Sequence, residues 1–85
     1  MKIEDTIPYM TSTDFTVRMA AEYWQTKIRY EKLHRMLVSY DAGTLSFELT
    51  NVELLRDQAA AMGKYLYILE VRAEQEGINL EEVLQ

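Results

Sequence analysis

An all-α fold is predicted for this 85-residue chain: an antiparallel two-helix hairpin with a short N-terminal arm and a C-terminal tail, assembling as a homo-oligomer. Three observations lead there. Two long segments carry apolar residues at alternating steps of three and four. Cap and stop residues bracket each segment. Each segment also has a second apolar stripe that one hairpin cannot bury, and this predicts self-association. The chain reads as one domain, with arm 1–11, helix 12–41, loop 42–50, helix 51–76 and tail 77–85, since its length is too short for two cores.

The arm, MKIEDTIPYM, is acidic and broken by Pro8, unlike a signal peptide. Its Ile3, Ile7, Pro8, Tyr9 and Met10 are expected to pack, with the tail GINLEEVLQ, at the end of the hairpin away from the loop. In the first helix Ser12 and Thr13 are N-cap candidates, Asp14 suits the first turn, and Gly43 can take the left-handed stop position. At 100° per residue Phe15, Met19, Tyr23, Thr26, Tyr30, Leu33, Leu37 and Tyr40 form one stripe.

The connection DAGTLSFEL alternates Leu45, Phe47 and Leu49 with polar residues. It reads as an extended segment closing over the hairpin end, in preference to a strand that pairs with a partner, because a lone strand leaves its backbone unpaired. Thr50 and Glu53 have capping-box spacing, and Gly77 ends the second helix. Leu55, Ala59, Met62, Leu66, Leu69 and Ala73 form its seam. At about 1.5 Å per residue each helix is roughly 40 Å long, and neither is stable alone in water. Gly63, in mid-helix, costs about 1 kcal/mol against alanine. It points to close helix approach or room for an aromatic ring, with close approach of a ligand as the alternative.

The second stripes are Val17, Ala21, Trp24 and Ile28 on the first helix and Ala60, Tyr67, Ile68 and Val71 on the second. They explain why YLYILEV (65–71) is apolar nearly all round: Leu66 and Leu69 serve the seam, and Tyr67, Ile68 and Val71 serve an oligomer interface.

Composition narrows the function. There is no cysteine and one histidine, His34, which excludes a disulfide framework, a thiolate metal site and a histidine-rich centre. No apolar run approaches the roughly 20 residues of a membrane span, so a cytoplasmic protein with no membrane partner is expected. A net charge of −5 argues against general nucleic-acid binding. No phosphate loop, dinucleotide fingerprint, metal spacing or paired carboxylate set is present, so neither an enzyme nor a cofactor is expected.

The charge is uneven. Residues 27–35 hold Lys27, Arg29, Lys32 and Arg35 against Glu31, whereas residues 53–85 hold seven acids and three bases. Either the two helices attract each other through these charges on solvated faces, or the basic run is a local anion site. Tyr23, Tyr30 and Tyr40 read as core residues with hydroxyls at the rim. Trp24, Lys27, Arg35, Lys64 and Tyr67 point away from the seam, and these are the candidate ligand-binding residues: the aromatics to stack on a base, the cations to meet phosphate.

The runs MAAEYWQTKIRYEKLHRML, AGTLSFEL and LLRDQAAAMGKYLYILEVRAEQEGINL resemble a family of short proteins encoded by crAss-like gut phages and prophages of gut bacteria, over most of residues 7 to 80. That resemblance implies a phage origin and a helical hairpin. In outline the hairpin is similar to small viral sponges, which hold cyclic-nucleotide or ADP-ribose-type immune signals of CBASS and Thoeris defence between subunits. The expectation is a phage anti-defence protein that sequesters a nucleotide second messenger at subunit interfaces in the host cytoplasm. The alternatives are an inhibitor or adaptor that docks its second stripe on a host protein, and a structural oligomer of the phage machinery.

Overall fold

The computed structural model describes residues 1–84; Gln85, the last residue of the expected tail, lies outside the described residues. Among these the chain is all-α, with a 3-10 helix over Ile3–Tyr9, α1 over Phe15–Ala42 and α2 over Val52–Glu76, and no strand. None of the helices is long and apolar enough to cross a membrane.

The helix starts differ from the cap residues read from sequence. Asp14, not Ser12 or Thr13, caps α1: its carboxylate accepts from the Thr16 amide at 2.9 Å and the Thr16 hydroxyl at 2.8 Å. Ser12 turns its hydroxyl back to accept from the Asp14 amide at 3.1 Å. A carboxylate there also meets the positive end of the helix dipole. Before α2, Asn51 rather than Thr50 is the cap, in the left-handed region at φ 57° and with no side-chain cap bond, so the Thr50–Glu53 box does not form. Both helices stop at glycines in the left-handed region, Gly43 at φ 75° and Gly77 at φ 68°. The amides of Thr44 and Ile78 each reach back to a carbonyl five residues earlier, at 2.9 and 2.8 Å.

Early residues of α1 meet late residues of α2, and late meet early. The Tyr23 hydroxyl donates to Glu70 at 2.7 Å, the Tyr30 ring lies beside Gly63, and Asp41 receives a two-bonded Arg56 guanidinium. Met19, Tyr23, Thr26, Leu33 and Leu37 of α1 are buried, as are Leu66, Leu69 and Ala73 of α2. Phe15 and Tyr40, at the two ends of the α1 seam, remain exposed. In α2 the seam residues nearest the loop, Leu55, Ala59 and Met62, are only half-buried.

The arm does more than pack at one end. Lys2 and Asp5 tie its first turn, the Lys2 amide donating to the Asp5 carboxylate at 2.9 Å. Thr6 is fully buried and gives its hydroxyl to the Ile3 carbonyl at 2.7 Å. The 3-10 helix packs on α1, whose Ala20 and Ala21 have no exposed surface. Two consecutive small side chains allow a second backbone to lie close. Arg18 fastens the turn between arm and helix by donating to the Ser12 carbonyl at 2.7 Å. From there the arm runs back along α1, so that Met1 borders a cleft with Ile28, Arg35 and Phe47.

This corrects the expected fate of the second stripe on α1. Ala21 has no surface left for a second copy, and Val17, Trp24 and Ile28 are half-buried within one chain. On α2 the counterpart stays open: Ala60, Tyr67, Ile68 and Val71 are all exposed, Tyr67 by 65 %. The loop forms no strand, and the apolar residues expected to close over the hairpin end are unequally covered. Phe47 is 57 % exposed while Leu45 and Leu49 are half-buried.

Candidate functional site

The basic run of α1 makes no ion pair with the acids of α2 among the described residues. Among the described residues the ion pairs are those of Arg56, with Asp41 and with Glu53. The pair that joins the helices thus uses a base of α2 and an acid of α1, the reverse of the expected polarity. Hydrogen bonding to Arg56 holds the Asp41 carboxyl below the usual carboxylate range. Lys27, Arg29, Lys32 and Arg35 form none of these ion pairs.

Two of the five candidate ligand-binding residues come together, Trp24 and Lys27. The Lys27 ammonium lies 5.1 Å from the Trp24 ring centroid and 5.6 Å from that of Tyr23, and donates to the Tyr23 hydroxyl at 3.5 Å. Tyr23 and Trp24 meet edge to face at 5.5 Å. Burial, and then the hydrogen bond to Glu70, push the Tyr23 phenol above its ordinary value, so it is a neutral donor.

The Trp24 indole is committed elsewhere. Its Nε1–H donates to the Leu80 carbonyl at 2.9 Å, which ties the tail to α1. The cleft beside it, about 560 Å³, is bordered by Glu70, Glu74 and Glu81. Three carboxylates around the ring oppose an anionic ligand. His34 stacks on Tyr30 with centroids 5.9 Å apart, at the helix surface.

Arg35 lies apart from that pair. It borders a second cleft of about 530 Å³, formed by α1, the arm and the loop. Lys32 stands beside it, and Ile28, Met36, Leu45 and Phe47 supply apolar surface. No residue of α2 borders this cleft. Lys64 and Tyr67 are exposed on α2 and border neither cleft. A single chain therefore divides the five residues among three places. Lys32 entered the sequence reading only as part of the basic run, and Phe47 only as an apolar residue of the loop; the available signal was a base one turn before Arg35.

A small all-α protein with a basic run outside its ion pairs, on an acidic body, is the class these features define. The chain belongs to the Sequestin family, whose model matches residues 13–75, all of α1 and all but the last residue of α2. The family's name points to sequestering of a molecule. No curated protein and no solved structure matches the chain.

Proposed function

We propose that this protein is a non-enzymatic phage anti-defence protein. It lowers the free concentration of a nucleotide-derived immune signal, of the cyclic oligonucleotide or cyclic ADP-ribose type, by stoichiometric binding. The observation that carries this reading is the basic run of α1, in no ion pair among the described residues, on a chain of net charge −5. Such a surface attracts a small anion through local donors, while the acidic body discourages long nucleic acids. Family membership supports sequestration as the mode.

In this reading the chain forms a helical hairpin that assembles as a homo-oligomer in the host cytoplasm. Assembly uses Tyr67, Ile68 and Val71, the apolar stripe that one chain leaves open on α2. Arg35 is the cation that meets phosphate; Lys27 is engaged with the Tyr23 and Trp24 rings, and Lys64 and Tyr67 lie on the α2 face used for assembly. Trp24 is given a structural part in place of a stacking one, because its N–H holds the tail and carboxylates surround it.

A thermal-shift panel of cyclic di- and trinucleotides and cyclic ADP-ribose isomers tests the reading. At a hundredfold excess over Kd a ligand that binds only the folded chain adds about 2.7 kcal/mol, roughly ten degrees or more for so small a domain. A selective shift with one class supports sequestration. A flat panel removes it and favours the open α2 stripe as a surface for a host protein.

A further inference from the structure

We propose that the cleft between the N-terminal arm, α1 and the α1–α2 loop is a ligand site complete within one chain, and that it takes an anion carrying a flat ring system. The proposal deepens the sequestration reading and rests on it. It places the ligand's anchor inside one subunit, where the sequence had placed it between subunits.

Size, charge and lining agree. At about 530 Å³ the cleft falls within the roughly 300–1,000 Å³ usual for small-molecule sites. Lys32 and Arg35 stand at its rim, and neither appears in an ion pair among the described residues. Below them Ile28, Met36, Leu45 and Phe47 make an apolar lining. Phe47 leaves 57 % of its surface in water, so a ring laid on it removes apolar area that the fold itself leaves wet. Glu31 and Ser39 also border the cleft. Their oxygens accept from amino or hydroxyl groups, which an unadorned hydrophobic anion lacks. Two cations for phosphate, an aromatic face and two acceptors are together the complement of a nucleotide.

The comparison cleft beside Trp24 sharpens the assignment. It is of similar volume and also has aromatic walls, but Glu70, Glu74 and Glu81 border it where Lys32 and Arg35 border this one. Of two clefts of one size, charge selects the one that receives an anion.

The test maps binding by NMR on the full chain. The probes are AMP, adenosine, ribose 5-phosphate and each nucleotide that raises the melting temperature in the panel above. AMP is expected to shift Ile28, Met36 and Leu45 signals, and to bind more tightly than adenosine or ribose 5-phosphate alone. Lys32→Ala and Phe47→Ala should each weaken AMP binding tenfold or more. Both side chains are exposed, so unchanged melting curves will show that these variants fold. Shifts centred on Trp24 or Tyr67, or affinity unaltered in both variants, would overturn the cleft and leave sequestration standing. If no nucleotide shifts any signal, both proposals fall.

Discussion

Replacing Trp24 with phenylalanine separates a tie within the fold from a surface for ligand. The substitution keeps an aromatic ring against Tyr23 but removes the N–H that donates to the Leu80 carbonyl at 2.9 Å. Leu80 is buried, so that carbonyl loses its partner where water is scarce. An intramolecular hydrogen bond of this kind contributes about 0.5–1.5 kcal/mol. The Lys27 ammonium sits 5.1 Å from the indole centroid; a cation over an exposed ring contributes about 0.5–1 kcal/mol, and phenylalanine keeps part of it. The sum is about 0.5–2 kcal/mol. For a domain of this size that lowers Tm by about 2–16 °C. Circular-dichroism melting of ligand-free protein measures the loss. Hydrogen exchange should show the cause, with amides around Ile78 to Leu84 exchanging faster as the tail loosens from α1. Nucleotide affinity of the folded variant should stay within a factor of two of wild type. An unchanged Tm combined with lost affinity would refute the reasoning and return Trp24 to the ligand site.

Three further outcomes are expected. Gly63→Ala should raise Tm by about 4–8 °C, because the added Cβ meets Tyr30 Cε1 at 3.4 Å, an ordinary contact, while alanine recovers about 1 kcal/mol of helix propensity; a lower Tm would mean that the helices cannot accept a methyl there. Tyr23→Phe removes the hydrogen bond to Glu70, at a cost of about 1 kcal/mol once the exposure of that carboxylate is allowed for. The Tyr23 phenol is raised in the folded state by burial and by Glu70, so its contribution is complete below the free tyrosine value near 10 and is lost progressively as pH rises from there through the raised folded-state value; the gap between the melting temperatures of the two proteins should therefore be constant below about pH 10 and begin to narrow above it. Ile68→Glu should leave helicity intact and reduce the mass measured by light scattering to that of one chain, and a wild-type protein already monomeric at high concentration would rule out the α2 interface.

The stops were more legible in the sequence than the starts. A residue that must adopt positive φ after a helix is nearly always glycine, so Gly43 and Gly77 announce themselves. At the start of α1 four consecutive polar residues compete, and the choice of Asp14 depends on which carboxylate geometry reaches Thr16. The Thr50–Glu53 spacing failed because Asn51 takes the left-handed turn itself. Seam positions such as Leu33 and Leu66 followed from a period of three and four, which needs only helix geometry. The path of the arm did not, because a 3-10 turn around Pro8 gains its stability from contact with α1. Nor did spacing along α1 reveal Phe47 opposite Lys32 and Arg35, since the loop's path decides it.

The arm changes what the second stripes require. Eight surplus apolar positions on two helices predict another copy of the chain, yet the α1 half is partly covered in cis: Ala21 has no exposed surface, Val17 and Ile28 are half-buried, and the tail lies beside Trp24. What remains without cover is the α2 half, where Tyr67, Ile68 and Val71 face water. The open stripe is thus on α2, whereas the cleft of Lys32, Arg35 and Phe47 has no α2 residue in it. On the proposed reading an oligomer built on α2 uses no residue of the cleft, so each chain binds its own ligand with or without assembly. Ligands held only between subunits would instead be lost when assembly is lost. Calorimetric titration of Ile68→Glu distinguishes the two: the variant should keep one ligand per chain at wild-type affinity in the first case and bind none in the second. The arm that removes part of the need for assembly is also the arm that walls the cleft.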